Sequence, residues 1–341
     1  MFSANRALRI ESLEQKQMLA GDVLVNVVNG VLTLEGDEFG NQVVVSSGEE
    51  PGTFVIRGLD GTQIIEGDAE PATEVVVEGV RHGLRANLGE GDDVLRVADA
   101  VIRGNVAIHT GAGNDRVVIG ALPVEMEALL AVDDETTDTD TASVRLGRNL
   151  LIHTGEGDDT VVVADTVGRG SLVVETGRGD DLVRLGRAEE TEPTDEETAT
   201  LTSVESESDF AADVSFAHGV HVGLGAGDDT LLVHNLRAGG FHANGGAGAD
   251  TMRIEDVRSH AIILWGGLGD EADIVSVGDV VTRLLFAHLG GGDDTLTLKG
   301  VKAQLALLHG GAGEADTLTL LGENMIRHRR VAGFEIRNPS A

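Results

Sequence analysis

The sequence predicts an all-β fold: a single-stranded parallel β-helix of about 22 residues per coil, closed at its N-terminal side by an antiparallel β cap. Three observations predict it. A Gly-x-Gly-x-Asp-x-apolar motif returns along the chain, with its first glycine at Gly89, Gly111, Gly155, Gly177, Gly225, Gly246, Gly267, Gly290 and Gly311. Apolar residues alternate on both sides of it, as in Val106/Ile108 before one turn and Val117/Ile119 after it, which is the period of a strand with one inward face. The composition is that of a thin, repetitive structure: 47 Gly, 8 Phe, 1 Trp and neither Tyr nor Cys in 341 residues.

The elements follow in order. Residues 1–22 read as a leader or export segment, although Arg6, Arg9, Glu11, Glu14 and Lys16 break any apolar signal-peptide core. Residues 23–70 read as the cap. Val23 to Leu34 splits at Asn29-Gly30, a two-residue hairpin signal, and a second strand pair, Val43 to Ser46 and Thr53 to Arg57, is joined through Gly48 to Gly52. Such a cap covers an open sheet edge.

Residues 71–325 form the helix. The first glycines are separated by 22, 44, 22, 48, 21, 21, 23 and 21 residues. The two near-doublings are read as hiding a coil whose turn has been replaced, with Val144 and Val214 opening its post-turn strand. Acidic loops near 133–141 and 188–209 occupy the replaced turns and are expected to project from the turn edge. Val101, Val167, Leu236, Val257 and Val301 mark a short third side. Residues 326–341 are expected to close the other end with a terminal strand or cap.

Charge limits the partners. With 58 acidic and 25 basic residues the net charge is −33, which argues against nucleic acid or an anionic membrane surface and favours cations. No run of about 18 apolar residues exists, so no transmembrane segment is expected. The absence of Cys closes disulfide, thiolate-metal and Cys-nucleophile chemistry.

Much of the acid falls on the turns. Each motif ends in one Asp: Asp93, Asp115, Asp159, Asp181, Asp229, Asp250, Asp273, Asp294 or Asp316. A second acid precedes it at Asp92, Asp158, Asp180, Asp228 and Asp293. Stacked coils bring equivalent carboxylates to roughly 4.8 Å, where each pair repels by about 0.9 kcal/mol in water and by more at lower dielectric. A hard divalent cation with oxygen ligands answers that repulsion, and calcium takes six to eight oxygens in flexible geometry. These Asp residues are therefore candidate calcium ligands. The other role open to them is to accept backbone N–H bonds within the turn, which needs no ion.

Two resemblances add to this reading. The motif resembles the hemolysin-type (RTX) calcium-binding repeat, Gly-Gly-x-Gly-x-Asp-x-apolar, which Gly245 to Met252 matches fully. Most other turns keep only its second half, one or two extra residues precede Asp273 and Asp316, and one turn occurs per coil where that family has turns on both edges. This resemblance implies Ca2+ at the turn edge. The stretch Leu8 to Asp22 is similar to the leader of secreted and surface proteins of planctomycete bacteria, with Lys16-Gln17 where that family usually has an Arg pair. It implies export and an extracellular or cell-surface location.

Other columns are visible. Arg81, Arg103, Arg148, Arg169, Arg237, Arg258, Arg283 and Lys302 precede the first glycines by a similar distance and suggest a basic corner, either solvated and paired with neighbouring acids or open to an anionic polysaccharide. His109, His153, His288 and His309 stand two residues before first glycines, with only His288 and His309 expected on adjacent coils. Catalysis is disfavoured by the even spread of acids, the single Trp265 and the absence of recognised catalytic motifs. The sequence thus reads as a secreted or cell-surface calcium-binding structural or adhesive solenoid, the alternative being a polysaccharide-binding or polysaccharide-degrading β-helix.

Overall fold

A computed structural model describes residues 21–120, 143–187, 213–267 and 269–337; residues 1–20 and both acidic loops lie outside the described residues. All regular structure in the described residues is β, in one sheet of 17 strands and another of 13. Pre-turn strands such as Gly83–Glu90, Asn105–Ala112, Leu150–Glu156 and Leu172–Arg178 stack in parallel in the larger sheet. Post-turn strands such as Val94–Val97, Arg116–Ile119, Thr160–Val163 and Leu182–Leu185 stack in the smaller one. The fold is the parallel solenoid that the alternation requires.

Register explains why like residues form ladders. Val106 pairs with Leu84 on one side and Leu150 on the other, and Val117 with Leu95 and Val161. The inward residues of both sheets form one continuous apolar core from Val23 to Leu318. Burying each such Val or Leu stabilises the fold by about 1.5–3 kcal/mol, so the core grows with every added coil. Phe216 and Phe241 are the largest buried side chains, and Gly168 makes room for the first: a Cβ there would lie 2.3 Å from the Phe216 ring.

The long steps hide no extra coil. Val106 pairs directly with Leu150 and Val117 directly with Val161 across the first long step, and Leu172 pairs with Val220 across the second. Val144–Leu146 belongs to the short side, between Val101–Ile102 and Thr166–Gly168, and Val214 to Phe216 continue that column. The added residues are insertions that follow Gly120 and Arg187, at the corner between post-turn strand and short side. They do not replace a Gly-Asp turn. A three-residue alternation fits any side of the coil, so the pattern of Val144 and Leu146 alone did not specify which one.

The marked short-side residues do not all face the core. Leu236, Val257 and Val301 are buried, but Val101 and Val167 are 58% and 50% exposed, and Ala100 and Thr166 take the inward position. A slip of one residue exchanges the faces of a strand.

The cap is antiparallel only in part. Asp22–Val28 pairs with Val31–Glu35 across Asn29-Gly30, and Gln42–Ser47 with Phe54–Gly58, both antiparallel. Val31–Glu35 and Gln42–Ser47, however, run parallel to Gly83–Glu90 and Val94–Val97. They act as a preceding coil in the solenoid register, and Glu74–Val77 extends the antiparallel side. Among the described residues Met325–Ala332 is the last pre-turn strand, and Arg329 pairs with the core residue Ala306. A charge at that inward register position blunts an open edge.

Candidate functional site: the stacked Gly-Asp turns

Each turn is fixed by two glycines. Gly155 and Gly157 have φ of 119° and 123°, a region that side-chain-bearing residues avoid. Space forbids a side chain as well: a Cβ on Gly177 would lie 2.0 Å from the carbonyl oxygen of Gly155. Backbones of successive turns are therefore in direct contact, which sets the positions of the two residues that follow.

The Asp that ends each motif points inward and is almost fully buried, from Asp93 at 0% to Asp316 at 2% exposure. Its Oδ1 accepts the backbone N–H of the equivalent residue one coil toward the N-terminus. Asn41 donates to Asp93 at 2.7 Å, Asp93 to Asp115 at 2.9 Å, Asp115 to Asp159 at 2.8 Å and Asp159 to Asp181 at 2.8 Å. The series continues through Asp229, Asp250, Asp273 and Asp294 to Asp316.

The outer acids run a second ladder in the opposite sense. Asp92 Oδ1 accepts the N–H of Asn114 one coil onward, and Asn114 Oδ1 that of Asp158, both at 2.8 Å. Asp158 then accepts from Asp180, Asp180 from Asp228, and Asp228 from Ala249. Asp293 accepts from both Glu314 and Ala315 at 3.0 Å. Neighbouring N–H groups of one turn thus bond to coils on opposite sides, which ties each coil in both directions.

The buried carboxylates carry an electrostatic cost. In Asp93, Asp115, Asp159, Asp181, Asp229, Asp250, Asp294 and Asp316, Oδ2 is sealed from solvent without a hydrogen-bond partner. Burial pushes the Asp93, Asp159, Asp229, Asp250 and Asp294 carboxyls up to about 7, against the pull of the N–H bonds. Asp115 and Asp273 are pushed up to about 6, and Asp181 is raised by the same cause. A carboxyl in such a place favours its neutral form.

The two columns differ in what they can offer a cation. Each inner carboxylate has one oxygen committed to a backbone N–H and the other enclosed, far short of the six to eight oxygens of calcium. Among the described residues no three acidic or His side chains converge as a metal site. The enclosed oxygens of the inner column are better suited to a proton than to a hydrated ion. Asp92, Asp158, Asp180, Asp228 and Asp293 are exposed, each with only one oxygen engaged, so this outer column is the part that can meet hydrated ions.

The histidine column is closer than the sequence suggested. With no hidden coil, His109 and His153 lie on adjacent coils, their rings 5.0 Å apart, and His153 reaches Glu175 at 3.2 Å. His288 stacks on His309 at 4.8 Å. A second pair, His221 and His242, has its Nδ1 atoms 2.6 Å apart, a contact that came from register rather than from any sequence motif. Trp265 is likewise not isolated, lying 5.2 Å from Phe286 and 5.3 Å from His288.

One column was missed. Asp99, Asp165, Asn235, Asp256 and Asp279 all have positive φ, between 42° and 52°, at the corner that begins the short side. Each stands six residues after an inner Asp, with Gly300 and Gly322 completing the series, so an Asp/Asn/Gly column at fixed offset was the available signal. Six of the eight basic-column residues, all but Arg169 and Arg283, fall into two groups. Arg237, Arg258 and Lys302 follow one register with Val281, whereas Arg81, Arg103 and Arg148 gather with Arg85 near the cap. Compared with known proteins, the chain matches no family model, no curated protein and no solved structure.

Proposed function

We propose that this chain is a structural or adhesive β-solenoid that acts outside the cell or at its surface and takes up divalent cations, calcium foremost, along its outer carboxylate column. The observation that carries the reading is the exposed series Asp92, Asp158, Asp180, Asp228 and Asp293, in which Asp158, Asp180 and Asp228 stand on successive coils and each Asp has one oxygen uncommitted. Like charges at that spacing repel, and divalent counterions relieve the repulsion better than monovalent ones. The uniformity of the turns supports a scaffold rather than a local reaction centre. Export is supported by the likeness of Leu8 to Asp22 to planctomycete leaders.

Calcium titration followed by melting temperature and by calorimetry tests the proposal. Millimolar calcium should raise the melting midpoint above its value in chelator, and replacing the five outer Asp residues by Asn should remove most of that rise. A midpoint that ignores calcium would reject the cation reading.

A further inference from the structure

Two concavities on the described surface are rich in basic residues, and they differ in composition. One, of about 390 Å³, brings Arg237, Arg258 and Lys302 together with Asp256 and Asp279, so its cations face acids on the same corner. The other, of about 520 Å³, is lined by Arg81, Arg85, Arg103 and Arg148 with His82 and Asn105, and no acidic residue lines it. These four arginines are exposed and make no ion pair among the described residues. In a chain of net charge −33, four guanidinium groups in one concavity with no ion pair among the described residues are not explained by solvated pairing.

The backbone under this cleft is closely packed. The N–H groups of Arg81 and His82 both donate to the carbonyl oxygen of Gly30 at 2.8 Å, which ties the cleft to the cap hairpin. Gly83 pairs with Asn105 on the next coil. A Cβ on Gly104 would lie 1.2 Å from the carbonyl oxygen of His82, so only glycine lets the two coils meet there. The floor is rigid, and the arginines rise from consecutive coils around it.

We propose that this cleft binds a linear acidic polysaccharide through its carboxylate or sulfate groups. Guanidinium recognises planar or tetrahedral oxyanions through paired N–H donors, and groups repeated from coil to coil suit a polymer with one anionic group per sugar. The patch spans too few coils, on too acidic a molecule, for nucleic acid, which requires an extended basic face. The site does not depend on cations at the outer acidic column.

Affinity measurements in chelator and low salt test the site, because calcium bridges between a polyanion and the acidic edge are then absent. The probes are polygalacturonate, dextran sulfate, neutral dextran, monomeric galacturonate and single-stranded DNA. Polygalacturonate or dextran sulfate should bind, and the stronger of the two identifies carboxylate or sulfate as the preferred group. The variant Arg81→Gln/Arg103→Gln/Arg148→Gln should bind it about tenfold more weakly or worse, while Arg237→Gln/Arg258→Gln should keep wild-type affinity. All five positions are exposed, and unchanged melting curves confirm that both variants fold. Equal loss in both variants, no loss in the triple variant, binding of neutral dextran as tight as that of the polyanions, tighter binding of DNA, equal binding of monomer and polymer, or no polyanion binding by the wild type would each overturn the proposal.

Discussion

The backbone N–H of Asp93 donates to the Oδ1 of Asp115, one coil and 22 residues onward, at 2.9 Å. In the same turn Asp92 accepts from Asn114, so the bonds at successive residues run in opposite directions along the solenoid. A β-helix needs every turn N–H satisfied where coils stack tightly, and here side-chain oxygens of neighbouring coils take the N–H groups at both acid positions of the turn. The arrangement gives the Gly-Asp motif a role that is independent of any ion, and it places the electrostatic cost at the enclosed Oδ2 atoms.

Asp159 is the clearest place to measure that role. Asp159→Ala removes the acceptor for the buried N–H of Asp115 and should destabilise the protein by about 3 kcal/mol. Asp159→Asn keeps an Oδ1 acceptor and discards the buried charge, so its stability at neutral pH should lie within about 1 kcal/mol of wild type or above it. Asn41, at the equivalent position of the cap coil, shows an amide accommodated there, though as a donor: its Nδ2 bonds to Asp93 at 3.1 Å and its Oδ1 is buried without a partner. Denaturant unfolding of both variants decides the matter, and an Asn variant as damaged as the Ala variant would mean that the charge itself is needed.

Stability should also depend on pH in an unusual direction. Asp93, Asp159, Asp229, Asp250 and Asp294 are raised to about 7 and Asp115 and Asp273 to about 6 in the folded state, from 3.8 without the surrounding fold. Between those values the folded chain holds more protons than the unfolded one, so stability falls as pH rises from about 4 to about 7 and then levels off. In chelator the melting temperature should therefore be higher at pH 5 than at pH 8. Asp159→Asn should gain relative to wild type at pH 8 and lose that advantage near pH 4. A melting temperature that rises from pH 5 to pH 8 would contradict the neutral form of the ladder.

The fold was legible because period-two alternation and a near-constant repeat are both properties of sequence, and parallel stacking preserves them as register. Side assignment was harder. Val144 and Leu146 alternate correctly for a post-turn strand, yet pairing with Val101–Ile102 and Thr166–Gly168 puts them on the short side. Distances between coils were harder still: once the hidden coil is removed, His109 and His153 become neighbours, which no local pattern announced. At the candidate site the identity of each Asp was evident. Which carboxylate faces the core depended on the turn dihedrals set by Gly155 and Gly157, and sequence supplies those only through the presence of glycine.

Two glycines separate requirement from permission. Gly177→Ala must hold a side chain at φ 118° against the Gly155 carbonyl and should cost about 3 kcal/mol. Gly240 lies in an extended strand, and a Cβ there meets nothing within 4 Å. Gly240→Thr should therefore stabilise the protein by about 0.5–1 kcal/mol, as a strand glycine without a conformational reason is a weak point. Chemical denaturation of the two single variants should move in opposite directions.

The terminal coil offers the last test. Arg329 pairs with Ala306 at a register position that is apolar in the coils before it, including Val106, Leu150, Leu172 and Leu285. With no coil beyond it among the described residues, an apolar side chain there would complete a flat, sticky edge that another molecule can extend. Arg329→Val should leave the monomer folded but produce concentration-dependent association, read by analytical ultracentrifugation at increasing protein concentration. Arg329→Lys should remain as monodisperse as the wild type, because the blunting depends on charge at that position and not on the guanidinium group. Association by both variants to the same extent would place the protection elsewhere, with Arg327 and Arg330 on the same strand the next to examine.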